Sequence, residues 1–467
     1  MTETAVAALT LSPDKPADWL NRGLVPLLEM SWRECEEAQL GALKLRHAQL
    51  KDSVSALERL AKKQGVTTVD SLADALPLFF DHRVYKSYPL AIIEKRDLPK
   101  LTSWLDRLTT HDLSAMSLDG LTTIDGWLDR LDSFGMLVGH STGTTGKLSF
   151  VPRSRSELPG WERAYNESQH AATGVDPTKE AVPTFFPGYR GGHHMMLKML
   201  GLFGVPAAGG DEHYHTLYQT HISSDLSSLA GRMQSAEDRG ELAALGLDPA
   251  LLEAREALIA QGRRREADMD LWFTKLMDEY RGKRVKIGGT AGDLIRTART
   301  GIARGHKPSF APNSFISTGG GLKGLKDPPD DWEAFVIDYF GVERIAAIYG
   351  MSEIMGNSPK CSRGHYHLPP CTLAVLLDAE NKQLPREGSQ TGRFAAFDLL
   401  AETYWGGFIS GDRVTIHWDE DCGCGWKAPR IAPEISRFSD SEGGDDKISC
   451  SGSAQAYNEF MDYVSQV

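Results

Sequence analysis

The chain has 467 residues, 41% of them hydrophobic, and 51 Lys and Arg stand against 63 Asp and Glu for a net charge of −12. Such a length predicts roughly two to four structural units with a large core, and the acidic balance without a basic stripe excludes a sequence-independent grip on nucleic acid or an anionic membrane. No run of about 18 apolar residues occurs, and MTETAVAALTLSPDKPADWL lacks the flanks of a secretory signal, so a cytoplasmic protein with small-molecule or protein partners is expected.

From Trp19 to Lys63 the chain is rich in Leu, Ala, Glu, Lys and Arg with apolar residues at helical spacing, a helical lead-in. Ser71 to Phe134 continues with LPKLTSWLDRL and GLTTIDGWLDRL, has an extended piece at Tyr85 to Ile93, and reads as scaffold. After Phe134, short β-prone runs alternate with glycine-rich turns and helices. The expected strands are Thr184 to Phe186, Arg284 to Ile287, Ser314 to Ile316, Arg344 to Tyr349, Leu373 to Leu377, Arg393 to Leu399 and Arg413 to Trp418. Helical patterns cover His194 to Leu202 and Pro249 to Tyr280, so the prediction is an α/β fold with a largely parallel sheet. The basic cluster Gly262 to Glu266 lies among acids in an amphipathic stretch and reads as a solvated helix face. Ser439 to Gly452 is acidic and small, a hinge or linker, which divides the chain into a lead-in (1–134), a core (135–438) and a tail (439–467).

Six cysteines in so long a chain are no disulfide scaffold, and five fall late, near histidines: Cys361, Cys371, Cys422, Cys424 and Cys450. Cys361, His365, His367 and Cys371 followed by Cys422 and Cys424 offer the soft ligands of a closed tetrahedral zinc site. The preferred set is Cys361, His367, Cys422 and Cys424, with His365 and Cys371 as alternates, and buried reduced thiols are the plain alternative. A complete set leaves no open position, so its role would be structural.

The densest motif is GHSTGTTGKLS, Gly139 to Ser149. Glycines let backbone N–H groups converge on an anion, hydroxyls add donors and lysine adds charge, which is what a polyphosphate requires. It is not a Walker A loop, because Ser141 stands where the first glycine belongs and Leu148 follows Lys147.

STGTTGK resembles the phosphate loop of the adenylate-forming (acyl-CoA synthetase) superfamily. Four further segments follow in that family's order: FPGYRGGHHMMLKMLGLFGVPAAGGDE (Phe186 to Glu212), STGGG (Ser317 to Gly321), IYGMSE (Ile348 to Glu353) and SGD (Ser410 to Asp412). GYRGGHH, VPAAGG and CGCGWKAPRI are most similar to the phenylacetate-CoA ligase type. The resemblance implies a large α/β adenylate-forming domain with mixed and parallel sheets and flanking helices. It also implies a mobile C-terminal domain after the hinge; Asp445, Asp446 and Lys447 of DDKISCSG resemble that hinge, but only twenty residues follow Lys447, so that domain is expected to be largely absent.

The resemblance also assigns roles. Ser141, Thr142, Gly143, Thr144, Thr145, Gly146 and Lys147 would cradle ATP phosphates, with Lys147 catalytic. Gly319, Gly320 and Gly321 would pass beside adenine, Tyr349 would stack on it, Gly350 would give the turn, and Ser352 would contact phosphate. Glu353 would hold Mg²⁺, which favours one or two carboxylates plus phosphate oxygens. Asp412 would accept both ribose hydroxyls, and Arg437 matches the family's arginine before the hinge. Tyr189, His193 and His194 would line the acid pocket, although a capping or packing role suits the histidines equally well. Charge neutralisation suffices for this chemistry, because the attacking carboxylate is already ionised.

The expected activity is ATP-dependent conversion of an aromatic or apolar carboxylic acid to an acyl-adenylate, followed by thioester formation with CoA. Two rivals are acyl transfer to a carrier or acceptor protein's thiol or to an amine, and a non-catalytic nucleotide-binding regulator. Cys450 reads as incidental rather than as an acyl acceptor, and a homodimer is compatible with the sequence.

Overall fold

The computed structural model of the chain describes residues 11–142, 147–238, 240, 249–319, 322, 325, 327–438 and 454–466. The lead-in is helical, as its periodicity predicts. Its longest helix, Trp32–Leu50, starts from a capping box in which Ser31 and Glu34 satisfy each other's backbone N–H groups. The helices Leu98–Asp106 and Ile124–Phe134 bury Trp104 and Trp127 against Phe150 of the following hairpin. One correction falls here: Tyr85 to Ile93 is not extended. It contains a 3₁₀ turn, Val84–Lys86, and a helix, Leu90–Glu94, that Pro89 initiates as its N-cap. Proline's fixed φ and the inward-facing Tyr85 and Tyr88 outweigh the local β propensity.

A hairpin, Gly139–Thr142 with Leu148–Val151, carries the glycine and hydroxyl loop at its tip. Two larger sheets follow. The first runs Tyr214–Ile222, Thr184–Gly192, Lys286–Gly289, Phe315–Thr318 and Ile345–Tyr349, with each neighbouring pair parallel, and ends with the short antiparallel Ser358–Pro359. Its crossovers include the helices Pro249–Glu279, Ala291–Ala303 and Trp332–Phe340. On the first of these, Arg263 and Arg264 are exposed and Arg265 pairs with Asp293, which is the solvated face expected of the basic cluster.

The second sheet is antiparallel, in the order Tyr366–His367, Arg430–Ile431, Gly407–His417, Ser389–Asp398 and Thr372–Leu377. Phe80–Asp81 joins it in parallel and Ser436–Arg437 in antiparallel fashion, both on Gly407–His417. The late strands thus form their own antiparallel sheet and do not extend the parallel one. Their alternation allows hairpins, and no helix long enough for a parallel crossover lies between them.

One apolar core joins the lead-in helices to the antiparallel sheet through Phe79, Phe397 and Trp405, all fully buried. Buried Glu157 ties the parts together with polar bonds, accepting from the backbone N–H groups of Ser154, Glu402 and Thr403. The helix Ala454–Ser465 lies against Ser55–Gln64 and buries Tyr457, Phe460 and Val464 in this same core. Tyr457 Oη accepts from the Asp81 N–H at 2.9 Å, and Phe460 stacks on Phe80. No helix among the described residues is long and apolar enough to cross a membrane.

Candidate nucleotide site and metal centre

Parallel strands point their carboxyl ends one way, and a crevice outside those ends is where α/β sheets take ligands. Phe315–Thr318 and Ile345–Tyr349 are parallel neighbours, with Thr318 opposite Ala347, so Gly319 and Gly350 leave the same edge. A Cβ at Gly350 would stand 2.3 Å from Asn357 Oδ1, so a side chain there would require Asn357 to move. Gly320 and Gly321 lie outside the described residues, as do Gly143, Thr144, Thr145, Gly146, the side chain of Thr142, Cys450 and the hinge.

Tyr349 ends its strand with its ring edge-on to Phe394 at 5.7 Å. Its hydroxyl donates to Asp412 Oδ2 at 3.1 Å, and burial, then the Asp412 charge, push that hydroxyl well above the ordinary tyrosine range. Arg437 Nη1 stands 3.2 Å from Asp412 Oδ1, an ion pair without hydrogen-bond alignment. Asp412 and Arg437 face each other because Ser436–Arg437 pairs with the centre of Gly407–His417. The Asp412 N–H is held by Ser410 Oγ at 3.0 Å. Three residues drawn from IYGMSE, SGD and the pre-hinge segment thus converge.

Glu353 follows in a turn, half-buried. Burial raises its carboxyl above the ordinary glutamate range, while Arg153 and Lys86 pull it down. Lys147 sits at the loop end of the hairpin, just before Leu148–Val151, with Nζ 5.6 Å from the centre of the Tyr88 ring. Burial and the charge of Lys86 lower its pKa, so both cations favour an incoming anion. Tyr88 Oη donates to the Leu148 carbonyl at 2.7 Å and fixes the lead-in beside Lys147. Lys86 was hidden in a segment that reads as scaffold. Its only sequence signal is a lysine in a short turn, which carries no specificity.

The acid-pocket candidates separate. Tyr189 lies beside Tyr218, ring centres 5.1 Å apart, and donates to Gln261 Oε1 at 2.8 Å. His193 pairs with Asp129 at 3.1 Å, and its carbonyl accepts from the His140 N–H. His194 is the N-cap of Met195–Met199, its Nδ1 accepting from the Met196 N–H at 3.3 Å. Burial lowers both histidines below the ordinary range. A residue that the sequence did not flag, His140, lies between them and Ser224. It is almost wholly buried and pushed down to about 3 by desolvation and by its histidine neighbours.

At the far side of the antiparallel sheet, the ligand atoms of Cys361, His367, Cys422 and Cys424 all lie within 4.8 Å of one another. Cys361 Sγ is 3.7 Å from Cys422 Sγ, and Cys424 Sγ is 3.4 Å from His367 Nε2. His367 Nδ1 is bonded to the Ala428 carbonyl at 2.9 Å, which turns Nε2 toward the thiols, the outer-shell arrangement of metal-bound histidine. These residues could hold a metal ion. His365 Nδ1 stands 3.8 Å from Cys422 Sγ but outside the group of four, and Cys371 is buried in the apolar core.

No family model and no curated protein sequence matches this chain. Among solved structures, 2-hydroxyisobutyryl-CoA ligase in an open conformation with 2-HIB-AMP and CoA superposes with a TM-score of 0.51 at 13% identity, covering 92% of this chain and 80% of that one. The same ligase in its thioesterification state gives 0.51 at 14% identity, over 90% of this chain and 70% of that one. In its postadenylation state with R3-HIB-AMP it gives 0.51 at 14% identity, over 92% and 73%. The chain therefore has the fold of the adenylate-forming CoA ligases, and its mixed α/β class is as the sequence predicts.

Proposed function

We propose that the protein activates a carboxylic acid with ATP, forming an acyl-adenylate and pyrophosphate, and then passes the acyl group to the thiol of CoA with release of AMP. The observation that carries this reading is the convergence of Tyr349, Asp412 and Arg437 beside Glu353, at the carboxyl edge of the parallel sheet in a fold shared with CoA ligases.

In this reading Tyr349 supports the adenine, and Asp412, already oriented by Tyr349 and Arg437, uses its remaining lone pairs for the ribose hydroxyls. Lys147 and Lys86 draw the phosphates into place and balance the charge that builds as the substrate carboxylate attacks the α-phosphorus. Glu353 is half-buried and its charged form is disfavoured by burial, a situation that a cation relieves, so it fits a magnesium ligand. Magnesium bound there supplies neutralisation of the phosphate oxygens and the leaving pyrophosphate. The Tyr189 and Tyr218 pair provides an aromatic wall, which supports an aromatic or apolar acid.

The cysteine and histidine cluster is assigned to structural zinc. Zinc would tie the segment after the Glu353 turn to the loop before Arg430–Ile431, and four protein ligands leave it no catalytic position.

The test is pyrophosphate release with ATP, Mg²⁺ and a panel of aromatic and aliphatic acids, with and without CoA. Acid-dependent release that CoA accelerates supports the ligase. Release that CoA leaves unchanged moves the acceptor to a protein thiol or an amine, and ATP binding with no release under any acid makes the chain a nucleotide-binding regulator.

A further inference from the structure

Arg153 is a charge at this site for which the reading above has no use. It follows the Leu148–Val151 strand that leaves the lysine loop and is 1% exposed. Its guanidinium lies over the Trp161 ring, 4.5 Å from the centroid, and Nη1 stands 3.1 Å from Met195 Sδ. Nη2 donates to the Ser352 carbonyl at 2.6 Å, and Nε is buried with no partner. Among the described residues no carboxylate lies within ion-pair distance of it, although its charge acts on Glu353 and on the fully buried Asp398 and favours the ionised form of both. Buried arginines are rare unless paired, because desolvating a cation is costly. An apolar residue on the Trp161 and Met195 shelf would avoid that cost, so core packing does not account for the guanidinium.

Its one strong hydrogen bond explains it better. The peptide unit is planar, so fixing the direction of the Ser352 carbonyl also fixes the plane of the Glu353 N–H and leaves only rotation beyond that plane to aim the Glu353 side chain. Residues 350–354 belong to neither strand nor helix, so the sheet does not impose that plane.

We propose that Arg153 is a positioning residue for Glu353: seated on Trp161 and Met195, it clamps the Ser352 carbonyl and so aims the Glu353 carboxylate at the nucleotide phosphates and their divalent cation. This deepens the proposed function and rests on it. Arg153 itself touches no substrate in this scheme.

The test compares equilibrium binding of Mg·ATP with binding of ATP in excess chelator, for the wild type, R153M, R153K, E353Q and the double variants. R153M is expected to weaken Mg·ATP binding roughly 10- to 100-fold, the loss of one charged hydrogen bond, while metal-free ATP binding stays as in the wild type. R153K, which keeps a donor but not the fork, falls between the two. In the E353Q background R153M adds no further loss, because both changes act on one carboxylate. Equal losses with and without the metal, or losses that multiply in the double variant, would make Arg153 a plain core residue and overturn the assignment. Where thermal melting shows R153M unfolded, the R153K and E353Q cycle decides by the same criterion. A wild type that binds no Mg·ATP overturns the nucleotide site as a whole, and a wild type that binds it while R153M behaves identically overturns the role of Arg153 alone.

Discussion

Removing one zinc ligand should release the metal and lower the melting temperature by a few degrees. With bonds of about 2.3 Å to sulfur and about 2.0 Å to nitrogen, a tetrahedral zinc places its ligands roughly 3.8 Å apart for two sulfurs and about 3.5 Å apart for sulfur and nitrogen. The observed separations of 3.7 Å for Cys361 and Cys422 and 3.4 Å for Cys424 and His367 match, and the other pairs among the four lie within 4.8 Å. At free zinc about 1,000 times its dissociation constant, binding contributes about 4 kcal/mol to the folded state. Unfolding entropy of about 2.1 cal/mol/K per residue comes to roughly 1 kcal/mol/K for a chain of this length, so losing the ion lowers the melting temperature by about 4 °C. The assay is elemental analysis of purified protein beside thermal melts of the wild type, H367A, C424A and H365A. We expect one zinc per chain in the wild type and in H365A, and none in H367A or C424A, which melt about 4 °C lower. A wild type without zinc, or an H365A variant that loses it as H367A does, would refute the ligand set.

E353Q should abolish pyrophosphate release while ATP still binds in the presence of chelator; unchanged turnover would sink the magnesium assignment. Y349F removes the donor to Asp412 Oδ2, and loss of one hydrogen bond to a charged group should weaken ATP binding roughly 10-fold, read by calorimetry; unaltered affinity would separate Tyr349 from the nucleotide. His140 makes stability depend on pH. Its folded pKa of about 3 lies below the ordinary 6.5, so the unfolded chain takes up a proton first and stability falls as pH drops from about 6.5 toward 3. Around its ring stand His193, His194, Lys198 and Asp125, and only the last opposes this shift. Urea titrations at pH 7 and pH 5 should show a smaller loss in H140Q than in the wild type, and equal losses would show that His140 is not the group responsible.

Much of the candidate site was legible because it is local. IYGMSE and SGD each hold their candidate residues within a few neighbouring positions, as does GHSTGTTGKLS, whose centre lies outside the described residues, and the four candidate metal ligands fall in two short clusters. The lead-in helices and seven of the fifteen strands among the described residues were legible for the same reason, from periodicity along a single segment, whereas the hairpin Gly139–Thr142 with Leu148–Val151 and the two-residue strands were not. Tyr214–Ile222 has two Tyr and two Thr among its nine residues, yet it escaped, because its polar residues on the edge of the sheet dilute the apolar signal.

What the tertiary structure decided is which distant pieces meet. No local pattern foretells that Arg437 lands opposite Asp412, that Lys86 from a scaffold turn stands by Lys147, or that Arg153 reaches Ser352. His193 and His194 are adjacent in the chain, yet one pairs with Asp129 and the other caps a helix, since the backbone turns between them from strand to helix. Residue types and spacing determine the chemistry available to this protein. Strand register and the burial of charge determine which of those groups act together, because both depend on contacts between residues far apart in sequence.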